Sequence, residues 1–571
     1  MSRTRPPLLL LALSLLYAGC SPAPDDGPEP AGPAAAPAAA APAGDALAVI
    51  TTARLQAHLD YLASDERTGR MTGTAGYDDA AAYVARQFEQ LGLTPGGTDG
   101  WYQPVPLRAA RLDADGATFI VHRDDGDERL AWKQDFLMSG DDVRAETSVR
   151  AGVVFAGFGV HAPDMGYSDF EGIDLEGRIA LIFGGAPPTF PHNERAFYSS
   201  GRTKSRELVA RGAVGVIVMR TRVDQQRYTW ELITLNAGLP AMAWTDASGN
   251  VQDYHPELEG GAFVHEDVAR ALFAGAPVSY EEALDAAEAG RPLSTPLGVE
   301  VTLARHTDHE DLSSPNVIGI VEGADPALRD EYVVYSAHLD HVGIGEAVDG
   351  DDIYNGYYDN AMGVALMIEA ARAIAAQPEP PRRSILFIAV TGEERGLLGS
   401  DYFAHYPTVP PRSIVANVNL DMPLFLFPIT EIIAFGAEHS SLGDVIEAAI
   451  AGEGLELAPD PFPEEVIFIR SDQYSFVRQG VPSVFLVPGF GSSDPEANGA
   501  AAFQEHMQRH YHRPSDDASR PVHWESALGF ARANVRIGLA VANATARPTW
   551  NEGDFFGLRF APVRSGDAGR Q

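Results

Sequence analysis

Five separated stretches carry side chains able to hold a cation or move a proton: His338-Leu339-Asp340-His341, Asp359-Asn360, Glu393-Glu394, Asp421 and Tyr511-His512. Imidazole and carboxylate donors with no thiolate among them suit zinc, with cobalt or manganese as alternatives. Singly, each is weak. A lone histidine is commonly a satisfied core or surface residue, an Asp after a strand commonly caps a turn, and Glu393-Glu394 alone reads equally well as a solvated turn. The argument rests on their joint placement, which depends on the elements that deliver them.

Tyr332–Ala337 is apolar, aromatic or β-branched and reads as a buried strand ending in His338 and Asp340. Asp359 opens an apolar helix, Val364–Ile374. Arg383–Val390 reads as a strand ending before Glu393-Glu394, and Ile414–Leu420 as a strand ending at Asp421. Asn316–Val321 and Ser483–Val487 are further strands, a helix starts at Ser400–Ala404, and Glu525–Ala542 is the last long helix. This alternation predicts an α/β fold with a doubly wound, mostly parallel sheet covered on both faces. Polar groups at the carboxyl ends of its strands then converge on one crevice. Ahead of it, Leu55, Leu59 and Leu62 fall at helical spacing and Tyr77–Leu91 is amphipathic, while 101–132 reads as short strands and turns. Residues 135–300 differ: Val153–Ala156, Ile179–Phe183 and Gly212–Met219 are β-rich around a helical Thr203–Arg211. The expected division is a leader at 1–20, a tether at 21–45, a first catalytic part at 46–134, an insert at 135–300, the catalytic domain at 301–546 and a tail at 547–571.

The chain has 571 residues and a formal net charge of −37, which disfavours nucleic acid and anionic membrane surfaces as partners. Cys20 is the single cysteine, so an intramolecular disulfide and a cysteine zinc site are both excluded. Arg3 and Arg5 precede the apolar run Leu8–Leu16 and then Tyr17-Ala18-Gly19-Cys20, the pattern of an export leader too short to span a bilayer. It resembles a bacterial lipoprotein signal with Cys20 as the lipidated residue, although Tyr17 stands where Leu is usual. An ordinary cleaved secretory leader is the alternative, and either one implies an exported protein. The Pro/Ala-rich stretch 21–45 reads as an extended tether.

The run AHLDH…IYNGYYDNAMG…FIAVTGEERGLLGSDYF…NLDM…SDQYSF…GVPSVFLV…YHRPSD resembles the M28 peptidases, zinc exopeptidases that use two metal ions. The likeness extends over roughly 50–545, including the early HLDYLASDERTGR stretch. EGRIALIFGG…KSRELVARGAVGVIVM resembles a protease-associated (PA) domain inserted in several secreted peptidases. The resemblance implies Asp359 as the ligand shared by two zinc ions, His338 and Asp421 completing one site, and Glu394 and His512 completing the other. It further implies Glu393 as general base, Asp340 as the carboxylate orienting the His338 imidazole, Tyr511 as donor to a developing oxyanion, and a cis peptide bond between Asp359 and Asn360. Three positions depart from the family: Tyr357-Tyr358 precede the shared Asp, Gln473 replaces a His in Ser471-Asp472-Gln473, and Met362 interrupts DNASG. The implied activity is removal of N-terminal residues from peptides. A carboxypeptidase or other amidohydrolase stays open, since Arg470 and Arg478 flank SDQYSF, as do a one-metal glutaminyl cyclase and an inactive receptor-like protein.

Overall fold

The computed structural model describes residues 44–124 and 126–561. The leader with Cys20, the tether up to 43 and the tail beyond 561 lie outside the described residues. At the centre of the main sheet four strands run parallel in the spatial order Ser384–Val390, Tyr332–His338, Ile414–Leu420 and Ser483–Pro488. Val333, Tyr335 and Ala337, with Ile385, Phe387 and Ala389, pack on one face in a cluster shared with the helices Met362–Ala375 and Trp524–Asn543. Val334, Leu386, Ile388 and Val390 meet Phe403 and Phe476 on the other face. Both faces are covered, which is why these strands read as continuous apolar runs. Antiparallel strands flank this centre, with Val321 to Val317 against Ser384–Val390 on one side and Glu431–Phe435 against Ser483–Pro488 on the other. The sheet is therefore mixed, with a parallel middle.

The expected strand Asn316–Val321 is the end of a 28-residue strand, Ser294–Val321. Its stretch 307–317 pairs with Tyr102–Leu112 in the main sheet, while 294–306 pairs with Glu146–Ala156 and 300–304 with Thr118–Arg123 in a second sheet. Pro315 does not break it, because it stands directly opposite Pro104, so two missing N–H donors coincide at one register position. The second sheet continues through the parallel strands Ile179–Phe183, Gly215–Met219 and Gly260–Val264 over its own core, which includes Phe155, Phe183, Val264 and Leu303. Its strands run from Thr118 to His306, wider at both ends than 135–300.

Two devices tie the layers together. Ala241–Trp244, from within the second-sheet region, joins the main sheet beside Tyr102–Leu112. Buried Asp401 accepts from Trp244 Nε1 at 3.0 Å and from Arg202 at 3.2 Å and pairs with Arg478, while Arg202 also pairs with Asp253.

Candidate active site

The carboxyl ends of three parallel strands deliver His338, Glu393-Glu394 and Asp421 to one crevice, and a turn before the Met362–Ala375 helix delivers Asp359. His338 Nε2 lies 3.3 Å from Asp359 Oδ1 and 3.1 Å from Asp421 Oδ1. His512 Nε2 lies 3.3 Å from Asp359 Oδ2 and 2.9 Å from Glu394 Oε2. The two oxygens of Asp359 thus face two different donor sets. The five residues named from the sequence as ligands come together, with Glu393 beside them.

A sixth residue joins them. His341 Nδ1 is 2.6 Å from Glu394 Oε1 and 3.8 Å from Asp359 Oδ2, so His341, Asp359 and Glu394 also form a group with the spacing of cation ligands. Sequence reasoning gave His341 no role. It follows Asp340 directly, and nothing in its spacing separated it from a turn residue.

The turns that hold these groups are cross-braced. Asn360 donates from Nδ2 to the Leu420 carbonyl at 2.9 Å, and its Oδ1 accepts the Gly363 and Met422 amides at 3.0 and 3.3 Å, which fixes the Asp359 turn against the Asp421 turn. The Asp359–Asn360 peptide bond is cis. Asp516 accepts the backbone N–H groups of Tyr358 and Asp359, the latter at 3.1 Å, and burial raises its carboxyl to about 6. Buried Arg70, from the early TGR stretch, donates to the carbonyls of Leu339, Asn355 and Gly356. It fastens the strand end at His338 to the loop ahead of Asp359, which gives the 50–90 region a part in the site.

Asp340 departs from its expected role. The His338 Nδ1 partner is the Asp340 backbone carbonyl at 3.1 Å, and the nearer carboxylate oxygen is 4.0 Å away. That carboxylate instead accepts the amides of Glu393 at 3.1 Å and Glu394 at 3.3 Å. It positions the two glutamates, because the Gly392–Arg395 turn lies across the end of its strand. Gln473, at the family's His position, accepts from Asn419 and donates to the Phe468 carbonyl, so it serves the packing beneath Asp421.

Crowding of like and unlike charges sets the electrostatics. Burial disfavours charge on His338, but Asp421 and Glu393 together drive its pKa well above the usual histidine value. Against burial, Glu394 and Asp359 raise His512 to about 10. Burial likewise works against ionisation of Asp359, yet His341, His338 and His512 hold it well below the carboxylate range. Glu393 goes the other way, pushed well up by burial and by Asp421, Glu394 and Asp472, with His338 opposing. A buried set of three carboxylates facing imidazoles, without Cys, is the donor chemistry of zinc. The residues present fit such an ion.

Tyr511 stacks on His512, with ring centroids 3.8 Å apart, and burial raises its hydroxyl well above the usual range. Both line a cavity of about 800 Å³ that also reaches Asp359, Glu393 and Asp421. Away from these groups the wall is mostly apolar, with Phe427, Phe435, Phe485, Phe490 and Met507 among its residues. Arg470 reaches the cavity but pairs with Glu465 at 3.4 Å, and Arg478 is engaged by Asp401.

Residues 316–537 match the model of peptidase family M28. Aminopeptidase NAALADL1 of Mus musculus is 33% identical over 137 residues, which is 23% of this chain and 17% of that protein. A probable zinc metalloprotease of Phaeosphaeria nodorum is 29% identical over 174 residues, 26% of this chain and 34% of that protein. The chain therefore aligns with about a sixth to a third of the length of these relatives. Among solved structures, an aminopeptidase from Aneurinibacillus sp. strain AM-1 superposes with a TM-score of 0.52 at 20% identity, over 88% of this chain and 95% of that one, a likeness of fold.

Proposed function

Because residues 316–537 match the model of peptidase family M28, we propose that this protein is a metallo-aminopeptidase of that family using two divalent ions and a glutamate base. The observation that carries the reading is the Asp359 carboxylate, whose Oδ1 and Oδ2 each stand 3.3 Å from a different histidine. Two zinc ions, one held by His338, Asp359 and Asp421 and one by Asp359, Glu394 and His512, would supply Lewis acidity and a water acidic enough to ionise near neutral pH. Glu393 accepts a proton at its carboxylate from the attacking water and returns it to the departing amine nitrogen. The Tyr511 hydroxyl donates to the carbonyl oxygen as negative charge grows there. Asp340 holds the amides of Glu393 and Glu394 and so keeps the base aimed. The apolar cavity takes the terminal residue and excludes water around it.

A carboxypeptidase would require a cation for the substrate carboxylate, and the pairing of Arg470 with Glu465 and of Arg478 with Asp401 weighs against it. The test is hydrolysis of L-leucyl-p-nitroanilide by the zinc-loaded protein before and after chelation. Glu393→Gln is expected to lower kcat by at least about 10³-fold with zinc content unchanged. Activity that survives the chelator, or turnover retained in Glu393→Gln, contradicts the mechanism. Two further readings are proposed on sequence pattern: the second sheet as a PA-type insert, and export with lipidation at Cys20. Loss of acyl labelling in Cys20→Ala tests the latter.

A further inference from the structure

The mechanism uses only part of the cavity lining; another part is contributed by the second-sheet region. Its short helix Arg222–Arg227, capped by Thr221 and Asp224, brings Val223, Gln226, Arg227 and Tyr228 to the cavity lining. There Arg227 Nε lies 2.6 Å from Glu465 Oε1, and its guanidinium also reaches Glu464 at 3.4 Å. Tyr228 donates to Glu465 at 3.5 Å, and Arg470 approaches it at 3.4 Å. Glu464, Glu465, Arg227 and Arg470 all line the cavity, and their charges cancel. Away from them and from the catalytic groups the wall is mostly aromatic and aliphatic, with Gln226, Asn498, Gln504 and Gln508 as uncharged polar members.

A balanced quartet beside an apolar wall has a chemical consequence. A large uncharged side chain gains from burial there. A cationic one loses its hydration and meets carboxylates already engaged by two guanidinium groups. We propose that Arg227 is a specificity-determining residue: by completing, with Arg470, the neutralisation of Glu464 and Glu465, it reserves the cavity for peptides with a large apolar N-terminal residue and refuses N-terminal lysine and arginine. This rests on the aminopeptidase reading and adds to it the substrate class and the residue that sets it. Removing the Arg227 charge leaves the quartet at net −1, which suits a cation.

The test compares wild type, Arg227→Met, which keeps the aliphatic stem, and Arg227→Lys, which keeps the charge, all as zinc-loaded full chains. Two readouts are taken on each: kcat/KM for phenylalanyl-, leucyl-, lysyl- and arginyl-p-nitroanilide, and calorimetric Kd for the hydroxamates of L-phenylalanine and L-lysine. Wild type is expected to favour phenylalanine over lysine by about 100-fold. Arg227→Met narrows that preference about tenfold or more, and Arg227→Lys restores most of it. Adding Glu465→Gln to Arg227→Met also returns the apolar preference, an outcome that general damage to the fold does not produce. A wild type that already favours lysine, or a ratio moved less than twofold by Arg227→Met, overturns the proposal. Failure to turn over any of the four anilides would count against the aminopeptidase reading, while the hydroxamate ratio still decides the role of Arg227.

Discussion

Asp340→Asn probes the bracing of the site most sharply. The Asp340 carboxylate is buried and accepts two amides, from Glu393 and Glu394. In the isosteric amide one oxygen keeps one of these bonds, and the new NH2 group faces the other N–H. The change costs one hydrogen bond to a charged acceptor, about 1.5–3 kcal/mol, and leaves a buried N–H unpaired, about 1–3 kcal/mol. Part of this returns, because burial and Glu394 already raise the Asp340 pKa, so its charge is held at a cost. A net loss of about 3 kcal/mol, confined to the Gly392–Arg395 turn, is expected. By hydrogen-exchange mass spectrometry on the metal-free protein, the amides of that turn should then exchange about 100-fold faster than in wild type. Zinc affinity should fall about 10- to 100-fold at the Glu394 side. It should hold at the His338 side, because His338 Nδ1 uses the 340 backbone carbonyl, which the substitution leaves in place. Native mass spectrometry should then show a one-ion species at zinc levels that fill wild type. Unchanged exchange in the turn, or a loss confined to the His338 side, would refute this assignment.

Asp401→Asn removes the shared anion between Trp244, Arg202 and Arg478 and leaves two guanidinium groups with one partner fewer; a loss of about 3–5 kcal/mol is expected, read as a lowered midpoint of thermal unfolding. His506 is fully buried, and burial with Arg520 and His510 lowers its pKa to about 4 from an ordinary value of 6.5. Between these values the unfolded chain binds a proton that the native one refuses, so the contribution of neutral His506 is complete above 6.5 and is lost as pH falls toward 4. His506→Phe should flatten that acid slope by up to about 3 kcal/mol, measured as unfolding free energy against pH; an identical slope in both proteins would refute the assignment.

The half that carries the candidate site is legible in the sequence, for a physical reason. Strands buried on both faces are apolar at most positions, and the buried Ser336, Asn417 and Asn419 bond to one another, so Ile414–Leu420 is found where its residues place it, and Tyr332–Ala337 and Arg383–Val390 shift by one residue at an end. The helix expected at Val364–Ile374 runs Met362–Ala375, since its ends carry no strong signal beyond the apolar run. The long strand was hidden because 306–315, HTDHEDLSSP, is polar and half exposed and ends in a proline, features that normally mark a loop. Arg70 was hidden too: a buried arginine that satisfies four carbonyl groups is indistinguishable, in sequence, from a surface one. The family resemblance implies that the Asp340 carboxylate orients the His338 imidazole, whereas the strand end turns it toward the neighbouring strand's glutamates.

The strand that crosses both sheets also constrains how the chain is made. Tyr102–Leu112 has its ladder partner at 307–317, roughly 200 residues later. At translation rates of about 5–20 residues per second, that edge waits about 10–40 s before its partner emerges. Over that interval the second-sheet region is synthesised in full and is free to collapse on its own core. The main sheet therefore cannot close across this register until the whole second-sheet region has been made.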